Sequence, residues 1–355
     1  MIDMRAQLKD CTGKLGFLVL ATLVVSFFLS CALGNSITGN HIPMLCIYPD
    51  PNPNLSGMAA FEDSYAKAAE LNAKVVTFYY KLSDLDDNLN NDECIIKYLA
   101  PLAETYNLDL AIEIEGPEPP GVLDDLPADI LGLNFNSSVL RDRYASLVSK
   151  FLDAVITYDT TQRLKYLFFG NEVDSYFNEH PDELDNWDLL LSQLVDLTRT
   201  KCPYVSSGTV VTYHDALQNG RLDWVKNHFG PRSDIIAVTF YPEWMPNGYQ
   251  QGKLDQQIGD IISAYGGTWK LALIESGISA DNLKGGSETQ QVTYAREIID
   301  AIINRSKDFE FTSVMFAVFP VNWGTPPFSD WVAGVSVYRS DGTARPVRDI
   351  IIGSK

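Results

Sequence analysis

The chain has 355 residues, 46% of them hydrophobic and 21% charged, with a formal net charge of −19 at pH 7. That is ample apolar material for a large core. The acidic balance argues against nucleic acid and anionic membrane surfaces as partners, since both are bound by clustered Lys and Arg.

The first segment reads as an export signal and not as part of a fold. Arg5, Lys9 and Lys14 precede an apolar stretch, Leu15 to Leu33, interrupted only by Gly16, Thr22, Ser26 and Ser30. A charged start followed by an apolar run is what the export machinery reads. Ala32-Leu33-Gly34 offers small residues for cleavage, Leu29-Ser30-Cys31 is similar to a lipoprotein box, and the run is nearly long enough for a membrane anchor. Residues 1–34 are therefore assigned to a signal peptide or to a lipoprotein or membrane anchor. The expected location is secreted, periplasmic or anchored to the outer face of a membrane.

From about residue 40 to 355 the sequence alternates apolar β-like runs with amphipathic helix patterns. Strands are predicted at Pro43–Tyr48, Val75–Tyr80, Leu108–Ile114, Lys165–Phe169, Val205–Thr212, Ile235–Phe240, Lys270–Ile274 and Ser313–Phe319. Helices are predicted at Ala59–Ala73, Asp92–Tyr106, Arg141–Tyr158, Trp187–Thr200, Asp255–Tyr265, Gln290–Asn304 and Val347–Ile352. Eight strands alternating with helices imply right-handed βαβ crossovers and a single-domain α/β fold, the (β/α)8 TIM barrel. Long irregular pieces follow the third strand (Gly116–Val139) and the eighth (Val321–Tyr338), on the side where βα loops shape a cleft.

No Gly-x-Gly-x-x-Gly follows a strand and no Walker-type Gly-Lys-Ser occurs, so no nucleotide cofactor is expected. His41, His180, His214 and His228 are scattered, and the five cysteines form neither a zinc pattern nor a disulfide framework. No metal is expected, and buried free thiols are the reading for the cysteines that follow the leader.

The chemistry concentrates at strand ends. Leu167-Phe168-Phe169-Gly170-Asn171-Glu172 and Leu271-Ala272-Leu273-Ile274-Glu275-Ser276-Gly277 are apolar runs that each end in a glutamate. The C-terminal ends of barrel strands carry the active site, and strands four and seven face each other across the mouth. Two carboxylates delivered there are what glycosidic bond cleavage requires. Around them, Glu113 and Glu115 end strand three, one expected in the cleft and the other turned away. Of Tyr79 and Tyr80 alternation turns one inward, and Tyr80 is the candidate. His214 follows strand five, and Trp244, Trp323 and Trp331 lie on βα loops, where a ring can stack on sugar C–H faces.

With Asn171-Glu172 on strand four and Glu275 on strand seven, the chain resembles the clan A glycoside hydrolases. The resemblance covers everything after about residue 40. It implies Glu172 as acid/base, Glu275 as nucleophile and Asn171 on the sugar 2-hydroxyl. It further implies Tyr241 as the tyrosine that hydrogen-bonds the nucleophile, and Trp323 as the floor under the sugar. Gly170-Asn171-Glu172-Val173 with Glu275-Ser276-Gly277 is similar to family 17 β-1,3-glucanases, although Ile278-Ser279 stands where those have Trp-Pro. Gly170-Asn171-Glu172-Val173-Asp174 is also similar to family 53 β-1,4-galactanases. The implied activity is retaining hydrolysis of an oligosaccharide or polysaccharide with no cofactor. A non-catalytic carbohydrate-binding barrel and a transglycosylase using the same residues stay open, as do sugar, linkage and oligomeric state.

Overall fold

The computed structural model describes residues 44–90, 94–118, 123 and 125–354. The predicted leader, Pro43, the start of the second predicted helix and part of the loop after strand three lie outside the described residues. Eight parallel strands close into a barrel in chain order. They are β1 (Met44–Tyr48), β2 (Val75–Tyr80), β3 (Asp109–Ile114), β4 (Leu164–Phe169), β5 (Ser206–Thr212), β6 (Ile235–Phe240), β7 (Lys270–Ser276) and β8 (Phe311–Ala317). This is the (β/α)8 barrel expected from the alternation of elements.

The core has two parts because each strand is covered on both faces. Inside the closed sheet, Cys46, Val75, Ala111, Phe168, Val210 and Ala272 pack together. Outside it, the other strand faces meet the helices. Helix Ser138–Tyr158 shows why its pattern folds this way: Leu140, Tyr144, Leu147, Val148, Phe151 and Val155 recur at helical spacing and are buried in one stripe. Trp187, on helix Leu184–Lys201, is fully buried and meets Phe135 edge-on at 5.0 Å. The cysteines that are described, Cys46, Cys94 and Cys202, are buried.

Short helices absent from the sequence pattern lie on the βα side: Leu82–Asn90, Val173–Glu179, Tyr213–Gln218 and Phe328–Gly334. At nine residues or fewer they are too short to repeat an apolar stripe, so periodicity gives little sign of them. Among the described residues no helix is long and apolar enough to cross a membrane.

Two backbone irregularities aim the mouth of the barrel. Ala272 and Ile274 belong to the inner cluster and Leu273 to the outer one. Strict alternation would therefore turn Glu275 outward with Leu273. The register between β6 and β7 instead shifts, Val238 pairing with Leu273 and Thr239 with Glu275. The extra residue is a β-bulge, which rotates the strand end and brings Glu275 to the inner face. After β4, Gly170 (φ 74°) and Glu172 (φ 47°) both take left-handed backbone conformations. A side chain at Gly170 would place its Cβ 2.4 Å from Val173 Cγ1, so only glycine fits this turn.

Candidate active site

A cleft of about 620 Å³ opens at the C-terminal ends of the strands, and both Glu172 and Glu275 line it. Glu275, on the bulged end of β7, is 5% exposed. Tyr241 Oη donates to its Oε2 at 2.7 Å, and Tyr79 Oη donates to its Oε1. Glu172 receives a hydrogen bond on Oε1 from Thr239 Oγ1. Thr239 and Tyr241 are two apart, straddle the end of β6, and so address the two carboxylates from one face.

Burial raises the pKa of both glutamates, through different balances. For Glu172 burial acts first and the charge of Glu275 adds to it, so its carboxyl titrates well above the usual carboxylate range. For Glu275 burial also raises the pKa, but the hydrogen bonds from Tyr79 and Tyr241 favour the anion and oppose the rise. The two titrate as a pair, with the better hydrogen-bonded anion at Glu275.

Asn171 lines the cleft, its backbone N–H donating to Pro117 O at 3.0 Å, while its buried Oδ1 has no donor. Trp323 lines it as well, standing edge-on to Tyr79 at 4.8 Å and resting on Phe316 at 5.2 Å. Trp244 meets Trp331 at 5.3 Å nearly perpendicular, with Lys284 Nζ 3.9 Å above its ring centre. His214 shares its Nδ1 with Thr212 Oγ1 at 2.9 Å and sets Nε2 3.3 Å from Asp215 Oδ1. Burial lowers the His214 pKa, against the pull of Asp215, which keeps the ring neutral near pH 7.

Two expectations from alternation are corrected. Tyr80 does not reach the cleft: it turns outward, and its ring packs against Phe151 of helix Ser138–Tyr158. Tyr79 takes the inward place. Glu113 and Glu115 do not point to opposite sides, because residues two apart share a strand face. Glu115 lines the cleft at the end of β3, whereas Glu113 lies deeper, fully buried in the barrel beside Tyr79 in the β2–β3 register. Burial, then the charges of Glu275 and Glu115, drives the Glu113 pKa far up in spite of the neighbouring Tyr79 hydroxyl, so that Glu113 favours its neutral acid.

Other cleft residues were not singled out from sequence: Lys81, Glu118, Asp125, Asp215 and Phe328, together with Thr239 behind Glu172. Lys81 and Thr239 were within reach, since each stands two residues from an inward tyrosine. Glu118 and Asp125 stand beside Glu115 outside any strand or helix, a proximity that no periodicity encodes.

Compared by sequence, the chain matches no protein-family model and no curated protein. Compared by structure, it is similar to a GH5_18 protein from Streptomyces cattleya in complex with Manβ1-4GlcNAc, at 13% identity and a TM-score of 0.69, covering 88% of this chain and 80% of that one. It is also similar to an exo-β-1,4-mannosidase from Opitutaceae bacterium strain TAV5, at 13% identity and TM-score 0.66, covering 88% and 59%. A β-D-glucuronidase from Dictyoglomus thermophilum aligns at 10% identity and TM-score 0.62, covering 88% of this chain, which spans about half of that protein's length. At these identities the likeness is one of architecture: this chain has the (β/α)8 barrel that its glycosidase neighbours have.

Proposed function

We propose that this protein is an exported O-glycosyl hydrolase that cleaves a β-linked oligosaccharide or polysaccharide with retention of configuration. The observation that carries this reading is the pairing of Glu275, held by two tyrosine hydroxyls, with a partly buried, proton-holding Glu172 in one cleft. The glycosidase neighbours support it. Glu275 attacks the anomeric carbon while Glu172 gives its proton to the departing oxygen, breaking the glycosidic C–O bond and forming a glycosyl ester on Glu275. Glu172, now a carboxylate, takes a proton from water, which attacks the same carbon and releases Glu275. Trp323 offers an apolar ring for the sugar face, and Asn171 a polar contact for a ring substituent.

The lining carries six carboxyl side chains and one lysine, Lys81, which is itself paired with Asp125. Such a cleft disfavours a uronic acid, whose carboxylate would meet like charge, and favours neutral or cationic sugars.

The test is hydrolysis of a panel of β-glucans, mannans, galactans and xylans, with product anomers followed by NMR. Glu172→Gln and Glu275→Gln are each expected to lower kcat by about 10²- to 10⁴-fold. The β-anomer should appear first. Turnover surviving Glu275→Gln, or the α-anomer appearing first, would overturn the assignment.

A further inference from the structure

We infer that Asp174 is a positioning residue for Glu172. Its carboxyl ties the turn that carries the proposed acid/base to the end of β5, and Ser175 with Asp215 makes a second tie. This rests on the glycoside hydrolase reading and goes beyond it by naming what holds the proton donor in place. The need for such ties is visible in the sheet. The backbone pairs between β4 and β5 are Tyr166–Ser206, Leu167–Ser207 and Phe168–Gly208, so pairing stops well before Thr212, the last residue of β5. Beyond that point the chain leaves β4 through Gly170 and Glu172, both in left-handed conformations. A glutamate keeps such a conformation only where its surroundings impose it.

Side chains take over where the ladder ends. Thr209 Oγ1 donates to Phe169 O at 2.6 Å, the Thr212 backbone N–H donates to Asp174 Oδ1 at 2.8 Å, and Ser175 Oγ donates to Asp215 Oδ2 at 2.5 Å. Asp174 and Ser175 lie in the first turn of helix Val173–Glu179, and the Ser175 N–H donates to the carbonyl of Glu172 itself at 2.9 Å. The helix therefore cannot shift along β5 without carrying Glu172 with it. His214 links the two ties, with Nδ1 2.9 Å from Thr212 Oγ1 and Nε2 3.3 Å from Asp215 Oδ1. Asp174 is 1% exposed, and a carboxyl buried so deeply costs stability. What it supplies is an acceptor for a backbone N–H that would otherwise be buried unpaired. Oδ1 can accept whether or not the group is ionised, so asparagine supplies the same acceptor and alanine supplies none.

A leaving group needs the proton of Glu172 in proportion to its basicity: methoxide must be protonated as it departs, whereas 2,4-dinitrophenolate need not be. A displaced Glu172 thus slows methyl glycosides selectively, while a general loss of structure slows both. The experiment compares kcat/KM of the full-length protein on methyl and 2,4-dinitrophenyl β-glycosides of glucose, mannose, galactose and xylose, and of their β-1,4-linked disaccharides. Asp174→Ala should lower kcat/KM on the methyl probes by about 10²-fold and on the dinitrophenyl probes by less than about threefold. Asp174→Asn should bring the methyl probes back to within about threefold of the wild type. If Asp174→Ala does not fold, Ser175→Ala takes its place, with a methyl-selective loss of roughly tenfold expected. Equal losses on the two leaving groups, no loss on the methyl probes, or Asp174→Asn as slow as Asp174→Ala would each overturn the inference. Glu172→Gln is the reference. A methyl-selective loss there, without one in the Asp174 or Ser175 variants, sinks this inference and spares the hydrolase reading. No turnover of any probe by the wild type, or no selectivity in Glu172→Gln, sinks the hydrolase reading and this inference with it.

Discussion

Glu275 accepts two tyrosine hydroxyl groups where Glu172 accepts one threonine, and that difference sorts their roles. Both pKa values lie above the ordinary 4.5, and Glu172 stands further above it because the charge of Glu275 adds to its burial. On the proposed mechanism, activity needs Glu275 ionised and Glu172 protonated. The kcat/KM profile should therefore be bell-shaped, its acid limb above pH 4.5 and its alkaline limb higher still. Tyr241→Phe removes a hydrogen bond that favours the Glu275 anion, so the acid limb should move to higher pH. At the optimum the rate should fall by about 10- to 100-fold, the worth of one hydrogen bond to a charged group. A pH–rate series on both proteins measures this, and an unmoved acid limb would show that Tyr241 does not set the ionisation of Glu275. Asn171, Glu172 and Glu275 were legible in sequence because each sits in a short string at the end of an apolar run. Tyr79 was not separated from Tyr80, since a strand of uncertain phase leaves the inward face undecided.

At the scale of the elements, strands were read to within two residues at every end because a run buried on both faces is continuously apolar. The bulge in β7 was invisible, as the extra residue is defined only against β6. Close strand approach also fixes Gly208 on β5. A Cβ there would lie 1.8 Å from the Ile235 carbonyl oxygen on β6. Gly208→Ala must push two backbones apart next to the β5–β6 register, and should destabilise the fold by about 1–3 kcal/mol or more. Chemical denaturation would report the loss, and a midpoint equal to the wild type would show that the strands separate without cost. The short helices after β4, β5 and β8 carry Glu172's turn, His214 and Phe328, and they take their order from packing on the barrel rim.

The whole molecule combines a net charge of −19 with acids whose burial outweighs what favours their anions. Burial lifts Asp174 to about 8 and Glu243 to about 7, in spite of hydrogen bonds that favour their anions. Folded pKa values above the unfolded ones mean that the folded state binds more protons in between. Stability is then greatest at low pH within this window and falls as pH rises from about 4 through about 8. Self-repulsion of the acidic surface acts in the same direction. The thermal midpoint should accordingly be higher at pH 5 than at pH 9, and Asp174→Asn should flatten the decline. A midpoint that rises between these pH values would contradict the protonated state of the buried acids.

The sequence by itself determined the barrel, and it placed at strand ends the two glutamates, Glu172 and Glu275, that line one cleft. Alternating apolar runs and helical stripes are local patterns, and two glutamates that each close such a run are visible in the same way, whereas one alone reads as readily as a salt bridge or a cap. What the tertiary structure decided is orientation and company. Glu275 faces inward because a bulge turns it, Glu113 favours its neutral acid because the barrel closes over it, and Glu115 stands beside Asp125, ten residues on in the chain. These depend on register, burial and loop path, which are properties of chain segments brought together from far apart in sequence.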